Sequence, residues 1–259
     1  MKVAILAGGF GTRLAEETES KPKPMVEIGN RPILWHIMMH FYHYGLDDFI
    51  IGLGYKGNAI KRYMLDYSSL NANLKINFKT GNIKSYGGYI PEWKVELVDT
   101  GIKTLTGGRI KRLQSLLGNS TFILAWGDGL SDINMNDLIA FHQSHGKIAS
   151  LVAVRPPARF GHIEMNGNRV SEFSEKPQTK EGWINGGYFV LEPSVFDYIE
   201  DDETQWEKEP LHNLAKDGQL MAYYHESFWQ CMDSLRDKNM LNSLWNSGNA
   251  PWATWETDN

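Results

Sequence analysis

The sequence predicts an α/β protein built on a mostly parallel sheet, and two observations carry that expectation. Short apolar runs recur along the chain, each ending at glycine or a polar turn, and helical patterns lie between them. Several of these runs are apolar at consecutive positions rather than alternating ones, as in parallel strands buried on both faces.

The first run, Met1–Leu6, breaks at Gly8-Gly9 and reads as a buried strand feeding a glycine loop. Ile33–Tyr44 follows as a helix: at 100° per residue Leu34, Trp35, Met38, Phe41 and Tyr42 share one side, which leaves His36, His40 and His43 on a face expected to point away from the core. Without a carboxylate or cysteine in that stripe, the histidines do not read as a metal site. Asp48–Leu53 is the second buried strand, and Gly57–Tyr67 a helix. Between Leu74 and Val98 the pattern turns strand-like around Gly87-Gly88 and Pro91, which reads as an inserted hairpin or flap. Gly107–Leu117 is a helix, and Ser120–Trp126 a buried strand. Met135–His145 is a helix closed by Gly146, and Ala149–Val154 a strand. Asn166-Gly167-Asn168, flanked by alternating apolar residues, marks a hairpin over His162–Phe173. Ser234–Asn246 is the last helix, before a tail whose Trp252 and Trp255 must pack on this subunit or a neighbour.

A chain of 259 residues should expose about 11,500 Å² when folded and bury roughly 73% of its unfolded surface, enough for one large core. Hydrophobic residues at 42% and charged ones at 22% exclude a disordered chain, a collagen-like rod and a coiled coil. With 26 Lys+Arg against 31 Asp+Glu, the net charge of −5 opposes nucleic-acid binding. The single cysteine, Cys231, cannot close an intrachain disulfide, Val3–Ala7 is too short for a secretory signal, and no run approaches the ~18 apolar residues of a membrane span. A cytoplasmic protein with no membrane partner is expected.

The most informative stretch is Gly8-Gly9-Phe10-Gly11-Thr12-Arg13-Leu14, directly after the first strand. Glycines let backbone N–H groups approach phosphate oxygens, and Arg13 adds a permanently charged, bidentate donor. A dinucleotide fingerprint would need a third glycine where Leu14 stands and a long helix at once, but Lys21-Pro22-Lys23-Pro24 forbids that helix. No Gly-Lys-Ser/Thr follows, so the loop is not of Walker type either. Asp128 stands just past a strand, where ligands gather in parallel sheets, although Asp-Gly is also an ordinary turn. Asp233 by itself reads first as a cap for the helix Ser234–Asn246.

The run Gly8–Leu14 followed by Lys21-Pro-Lys23-Pro-Met25-Val26 resembles the signature of sugar-1-phosphate nucleotidylyltransferases. Within that family it is most similar to members that join CTP to glucose 1-phosphate. The resemblance continues in order through Pro32–Ile37, Val98–Gly101, Thr106–Arg109, Gly127–Gly129, Arg159–Gly161, Glu175–Pro177, Ile184–Gly187, Phe228–Gln230 and Met232–Lys238. It implies a three-layer α/β/α, Rossmann-like nucleotidyltransferase fold with a mixed sheet, a small β insertion and a C-terminal sugar-binding segment. One domain over 1–259 is expected, with 1–155 serving the nucleotide and 156–259 the sugar.

The resemblance further implies CTP and glucose 1-phosphate as substrates, Mg²⁺ as cofactor and a homo-oligomer. Arg13, Lys23 and Asp128 would be catalytic. Leu6, Ala7, Gly8, Gly9, Gly11, Thr12, Arg13, Lys23, Thr104 and Arg109 would hold the nucleotide. Glu175, Lys176, Asn185, Gly186 and Gly187 would hold the sugar phosphate, and Asp128 with Asp233 the metal. Two alternatives stay open: the same chemistry on another nucleotide or phosphorylated acceptor, and a non-catalytic subunit that binds a nucleotide-sugar. Cys231, with no histidine in a partner pattern, reads as a packed thiol.

Overall fold

Seven strands form the central sheet: β1 (Lys2–Ala7), β2 (Asp48–Leu53), β3 (Lys94–Asp99), β4 (Phe122–Trp126), β5 (Ala149–Val154), β6 (Ile184–Leu191) and β7 (Leu220–His225). In this computed structural model residues 1–156, 162–166, 169–174 and 182–256 are described, with backbone alone for Arg13, Ala15 and the two segments 162–166 and 169–174. The spatial order is β7-β5-β6-β4-β1-β2-β3. Every strand runs parallel except β6, which pairs antiparallel with β4 on one side and β5 on the other. The mostly parallel α/β sheet expected from the apolar runs is the one found, and its antiparallel strand makes it the mixed sheet that the resemblance implied.

Alternation along β1 shows how the layers arise. Val3, Ile5 and Ala7 face one apolar cluster, which also holds Ile33, Ile37 and Phe41 of helix α1 (Ile33–His43) and Ile60 of α2 (Gly57–Leu70). Ala4 faces the other, with Ile110 of α3 (Thr106–Arg112), Phe122, Phe189 and Trp206. α4 (Met135–His145) starts at Asn134, whose side chain accepts from the N–H groups of Asn136 and Asp137, and ends at Gly146 in the left-handed region.

Four expectations need correction. Lys94–Asp99 belongs to the central sheet as its edge strand, and the inserted hairpin is only Asn73–Asn77 with Asn82–Tyr86. The helix expected over Gly107–Leu117 divides at Leu113 into α3 and a single turn. Ile184–Gly187, expected only as part of the acceptor pocket, opens the antiparallel strand β6, a role its Asn-Gly-Gly disguises because glycine is poor in strands. The histidine face of α1 is also covered: His36 and His40 are buried, because the C-terminal tail lies over them. Trp252 Nε1 donates to His36 Nδ1 (3.2 Å), so Nε2 carries the ring proton and donates to the Ile28 carbonyl (3.0 Å).

Candidate functional site

The carboxyl ends of β1, β2, β3 and β4 lie at one edge of the sheet, and the segments that follow β1, β3 and β4 line one cavity there. After β1 come Gly8, Gly9 and Gly11. Gly11 has φ of +64°, a left-handed turn that delivers the chain into the short turn Thr12–Leu14, where the Leu14 N–H returns to the Gly11 carbonyl (3.0 Å). At Gly8 the demand is space: a Cβ there would stand 2.3 Å from the Arg109 guanidinium.

Arg109 closes that end of the cavity. Its guanidinium donates to the carbonyls of Gly8, Leu53, Gly101 and Ile102 and to the Thr100 hydroxyl, at 2.7–3.3 Å, so it ties the ends of β1, β2 and β3 together. Burial lowers its pKa from the ordinary arginine value.

Lys23 is placed by its neighbouring prolines. Pro22 and Pro24 stiffen a single turn, Lys23–Met25, in which the Met25 N–H bonds the Pro22 carbonyl (2.8 Å). Its ammonium then reaches two distant carboxylates, Asp128 Oδ2 at 2.6 Å and Asp233 Oδ1 at 2.5 Å. Burial alone would push this lysine down, but Asp128 and then Asp233 outweigh it and hold its pKa above the ordinary value.

Those carboxylates meet because of a two-stranded ribbon. Gly129–Ser131 pairs antiparallel with Trp229–Cys231, with Gly129 opposite Cys231, and the Met232 N–H bonds the Asp128 carbonyl (2.9 Å). Asp233 does not cap the helix after it. Ser234 does, in a capping box with Asp237, for α5 (Leu235–Asn246). The Asp233 carboxylate is thereby left to meet Lys23.

Two cavities flank this corner. One, of about 430 Å³, is lined by Leu6, Ala7, Gly8, Gly9, Gly11, Thr12, Lys23, Thr104 and Arg109, together with Asp128 and Asp233. The other, of about 880 Å³, is lined by Asn185, Gly186, Gly187, Asp128 and Asp233. Trp126 borders both. Expected residues from both halves of the chain are thus brought together. The Arg13 side chain, Arg159–Gly161, Glu175 and Lys176 lie outside the described residues.

Sequence reasoning missed part of the walls. Trp126 and Pro24 sit beside named motif residues, and Trp229 and Gln230 lay inside a quoted match without a role. Trp229 is fixed by an Nε1–H bond to the Gly186 carbonyl (2.8 Å), and the Tyr188 hydroxyl donates to the Gly129 carbonyl (2.7 Å). Only the position of Trp126 directly before Gly127-Asp128 could have signalled a wall residue. Cys231 faces the second cavity with its thiol pushed up to about 12, first by burial and then by Asp233 and Asp128, which suits a packed thiol.

Comparison with known proteins agrees with this geometry. The family described as nucleotidyl transferase matches residues 2–237. A glucose-1-phosphate cytidylyltransferase of Salmonella typhimurium is 49% identical, the match covering 99% of this chain and all of that protein. A probable glucose-1-phosphate cytidylyltransferase of Bacillus subtilis is 44% identical over 98% of this chain and all of its own length. Among solved structures, HddC from Yersinia pseudotuberculosis superposes with a TM-score of 0.69 over 94% of this chain and 99% of its own, at 24% identity, a likeness of fold.

Proposed function

The chain belongs to the nucleotidyl transferase family, and from that premise we propose that it transfers the cytidylyl group of CTP to α-D-glucose 1-phosphate, forming CDP-glucose and pyrophosphate. The observation that carries this reading is the shared wall: Asp128, Asp233 and Trp126 border both cavities, so two substrates would meet across one charged corner. The similarity of the two cytidylyltransferases along the whole chain supports the choice of substrates.

In the proposed reaction an acceptor phosphate oxygen bonds to the α-phosphorus of CTP as the bond to the β-phosphate oxygen breaks, and pyrophosphate leaves. A phosphate with a second pKa near ~6 is mostly dianionic at neutral pH, so the protein needs no base and supplies position and charge. Lys23, at the corner, suits the α-phosphate, and Arg13 the leaving pyrophosphate. Gly8, Gly9, Gly11 and Thr12 would offer backbone donors, while Leu6, Ala7, Thr104 and Arg109 frame the base. Asn185, Gly186 and Gly187 would line the acceptor side with Glu175 and Lys176. A single nucleotidyltransferase domain, its first 155 residues serving the nucleotide and 156–259 the sugar, fits this division of labour.

Magnesium fits the corner. Asp128 and Asp233 converge on one cation, the Lys23 ammonium. Among the described residues no group of three or more histidine, cysteine, aspartate or glutamate side chains could hold a metal. Magnesium takes such a sparse protein set when substrate phosphates complete it. When bound it would neutralise charge on the reacting phosphates.

A homo-oligomer is the proposed assembly. The hairpin Asn73–Asn77 with Asn82–Tyr86 leaves Ile83 at 65% and the turn residue Phe78 at 92% exposure, and an isolated two-stranded hairpin is marginal in water. Sedimentation decides it, a monomer at micromolar concentration being the contrary result. No described helix is long and apolar enough to cross a membrane, and the single cysteine supports the reducing cytoplasm as the proposed site of action.

The test is a panel of four nucleoside triphosphates against several sugar 1-phosphates, with products identified by mass. CDP-glucose is the expected product. UTP presents the reverse donor and acceptor pattern to cytosine and should leave groups unpaired at about 1–3 kcal/mol each. Comparable kcat/KM for the two pyrimidines, or turnover only with another sugar phosphate, would replace this reading.

A further inference from the structure

We propose that Arg236 binds the anionic group of the acceptor and so sets the preference of the second cavity for a sugar phosphate over a neutral sugar. This rests on the reading of that cavity as the acceptor site.

Charge is the first argument. The described lining of the cavity carries three carboxylates, Asp128, Asp233 and Asp237, and a single cation, Arg236. Lys23 lines the other cavity and is held there by Asp128 and Asp233. A dianionic sugar phosphate entering the second cavity therefore meets described walls of its own sign, and one ammonium, the Lys176 assigned to the acceptor side, would leave part of its charge to be received by Arg236.

Availability is the second argument. Asp237 is occupied: its carboxylate accepts from the Asp233 and Ser234 N–H groups, the Ser234 hydroxyl and Gln230 Nε2. Arg236, the residue before it, makes no hydrogen bond or ion pair with any described residue. Buried polar neighbours that shape the walls, such as Gln230, are bonded to protein, while this exposed guanidinium keeps all five donors. A phosphate takes two of them in parallel, a geometry that lysine cannot reproduce.

Calorimetry on the full chain tests this, with glucose 1-phosphate, neutral glucose and CTP as titrants, in the presence and absence of a non-hydrolysable CTP analogue. Arg236→Gln should weaken glucose 1-phosphate binding about 10- to 100-fold and leave CTP binding and melting temperature unchanged, because the side chain is exposed and has no partner to lose. Arg236→Lys should recover part of the loss, and the weak affinity for neutral glucose should not change. Unchanged glucose 1-phosphate affinity in Arg236→Gln, or an equal loss for glucose and its phosphate, would overturn the assignment. The measurement needs no turnover. Wild-type protein that binds both substrates yet makes no CDP-glucose would sink the proposed reaction and still leave the Arg236 result to be read.

Discussion

The charged corner and the C-terminal strap each close the N-terminal segment with a residue more than 200 positions later, Asp233 on Lys23 and Trp252 on His36, yet they are built in opposite ways. In the corner Lys23 meets Asp128 and Asp233 with side chains 12%, 27% and 24% exposed, and the two carboxylates border both cavities. In the strap Trp252 is fully buried on α1, donating to His36, while Thr254 hydrogen-bonds His40 (3.2 Å) and Trp255 meets Trp35 edge-on at 5.6 Å. One closure keeps charge within reach of ligands, and the other removes polar rings from water. Loss of the first should therefore cost chemistry and loss of the second should cost fold.

The largest effect should come from the corner. Asp128→Asn and Asp233→Asn should each lower kcat by three to four orders of magnitude, about 4–5 kcal/mol of transition-state stabilisation. The melting temperature should stay close to wild type, because Lys23 keeps one carboxylate partner. Near-normal magnesium-dependent turnover in either variant would remove the metal role of that residue.

Trp252→Ala should do the reverse. Truncating a fully buried tryptophan costs about 4 kcal/mol of stability, including the bond to His36. Turnover per folded molecule should be unchanged within about twofold. A variant as stable as wild type in denaturant would show that the strap adds nothing to the core, and one that is folded but inactive would couple the two regions.

The sequence displayed these regions unequally. Only the glycine loop Gly8–Leu14 stood out by its own chemistry, while Lys23, Asp128 and Asp233 read at least as well as a charged loop, a turn and a cap until the family resemblance assigned them. Their meeting was hidden: it depends on the ribbon Gly129–Ser131 with Trp229–Cys231, two three-residue strands too short to show a period. The strap is invisible for a different reason. The helical period of α1 placed His36 and His40 on a polar face, correctly as periodicity, but cannot reveal that another segment covers it. Similarly, β1, β2, β4 and β5 announce themselves by apolar runs, while β6 opens with Ile-Asn-Gly-Gly and the apolar residues of β3 are interrupted by Lys94, Glu96 and Asp99.

Acid should separate the regions without mutation. Burial, as the leading cause, lowers the pKa of both His36 and His40 to about 4. Above pH 6.5 these rings are neutral in both states and do not affect the balance. Between 6.5 and 4 the unfolded chain binds protons that the folded one refuses, so stability falls with pH, by up to about 3 kcal/mol for each histidine. Denaturant unfolding across that window measures the slope, and His36→Gln, which can keep a donor and an acceptor without titrating, should remove about half of it. A flat profile in the wild type would mean that the strap opens enough to hydrate the rings.

Arg109 tests the distinction itself, because it lines the nucleotide cavity as the corner does and is buried and bonded to backbone as the strap is. Its guanidinium serves five acceptors and an ammonium has three donors, so Arg109→Lys would lose at least two of these bonds, although the Leu53 and Gly8 carbonyls keep the N–H groups of Thr100 and Tyr55. Part of that loss would be made good by water entering from the open cavity, which brings the expected cost to about 2 kcal/mol of stability. The same change unties the Gly8 carbonyl from Ile102 and Gly101, and the glycine loop would then have to be ordered by the nucleotide when it binds. CTP affinity should therefore fall roughly tenfold in step with the loss of stability, with kcat nearly unchanged, a pattern neither Asp128→Asn nor Trp252→Ala should give. A loss of kcat with full stability would place Arg109 with the charged corner, and a loss of stability with normal CTP affinity would place it with the strap.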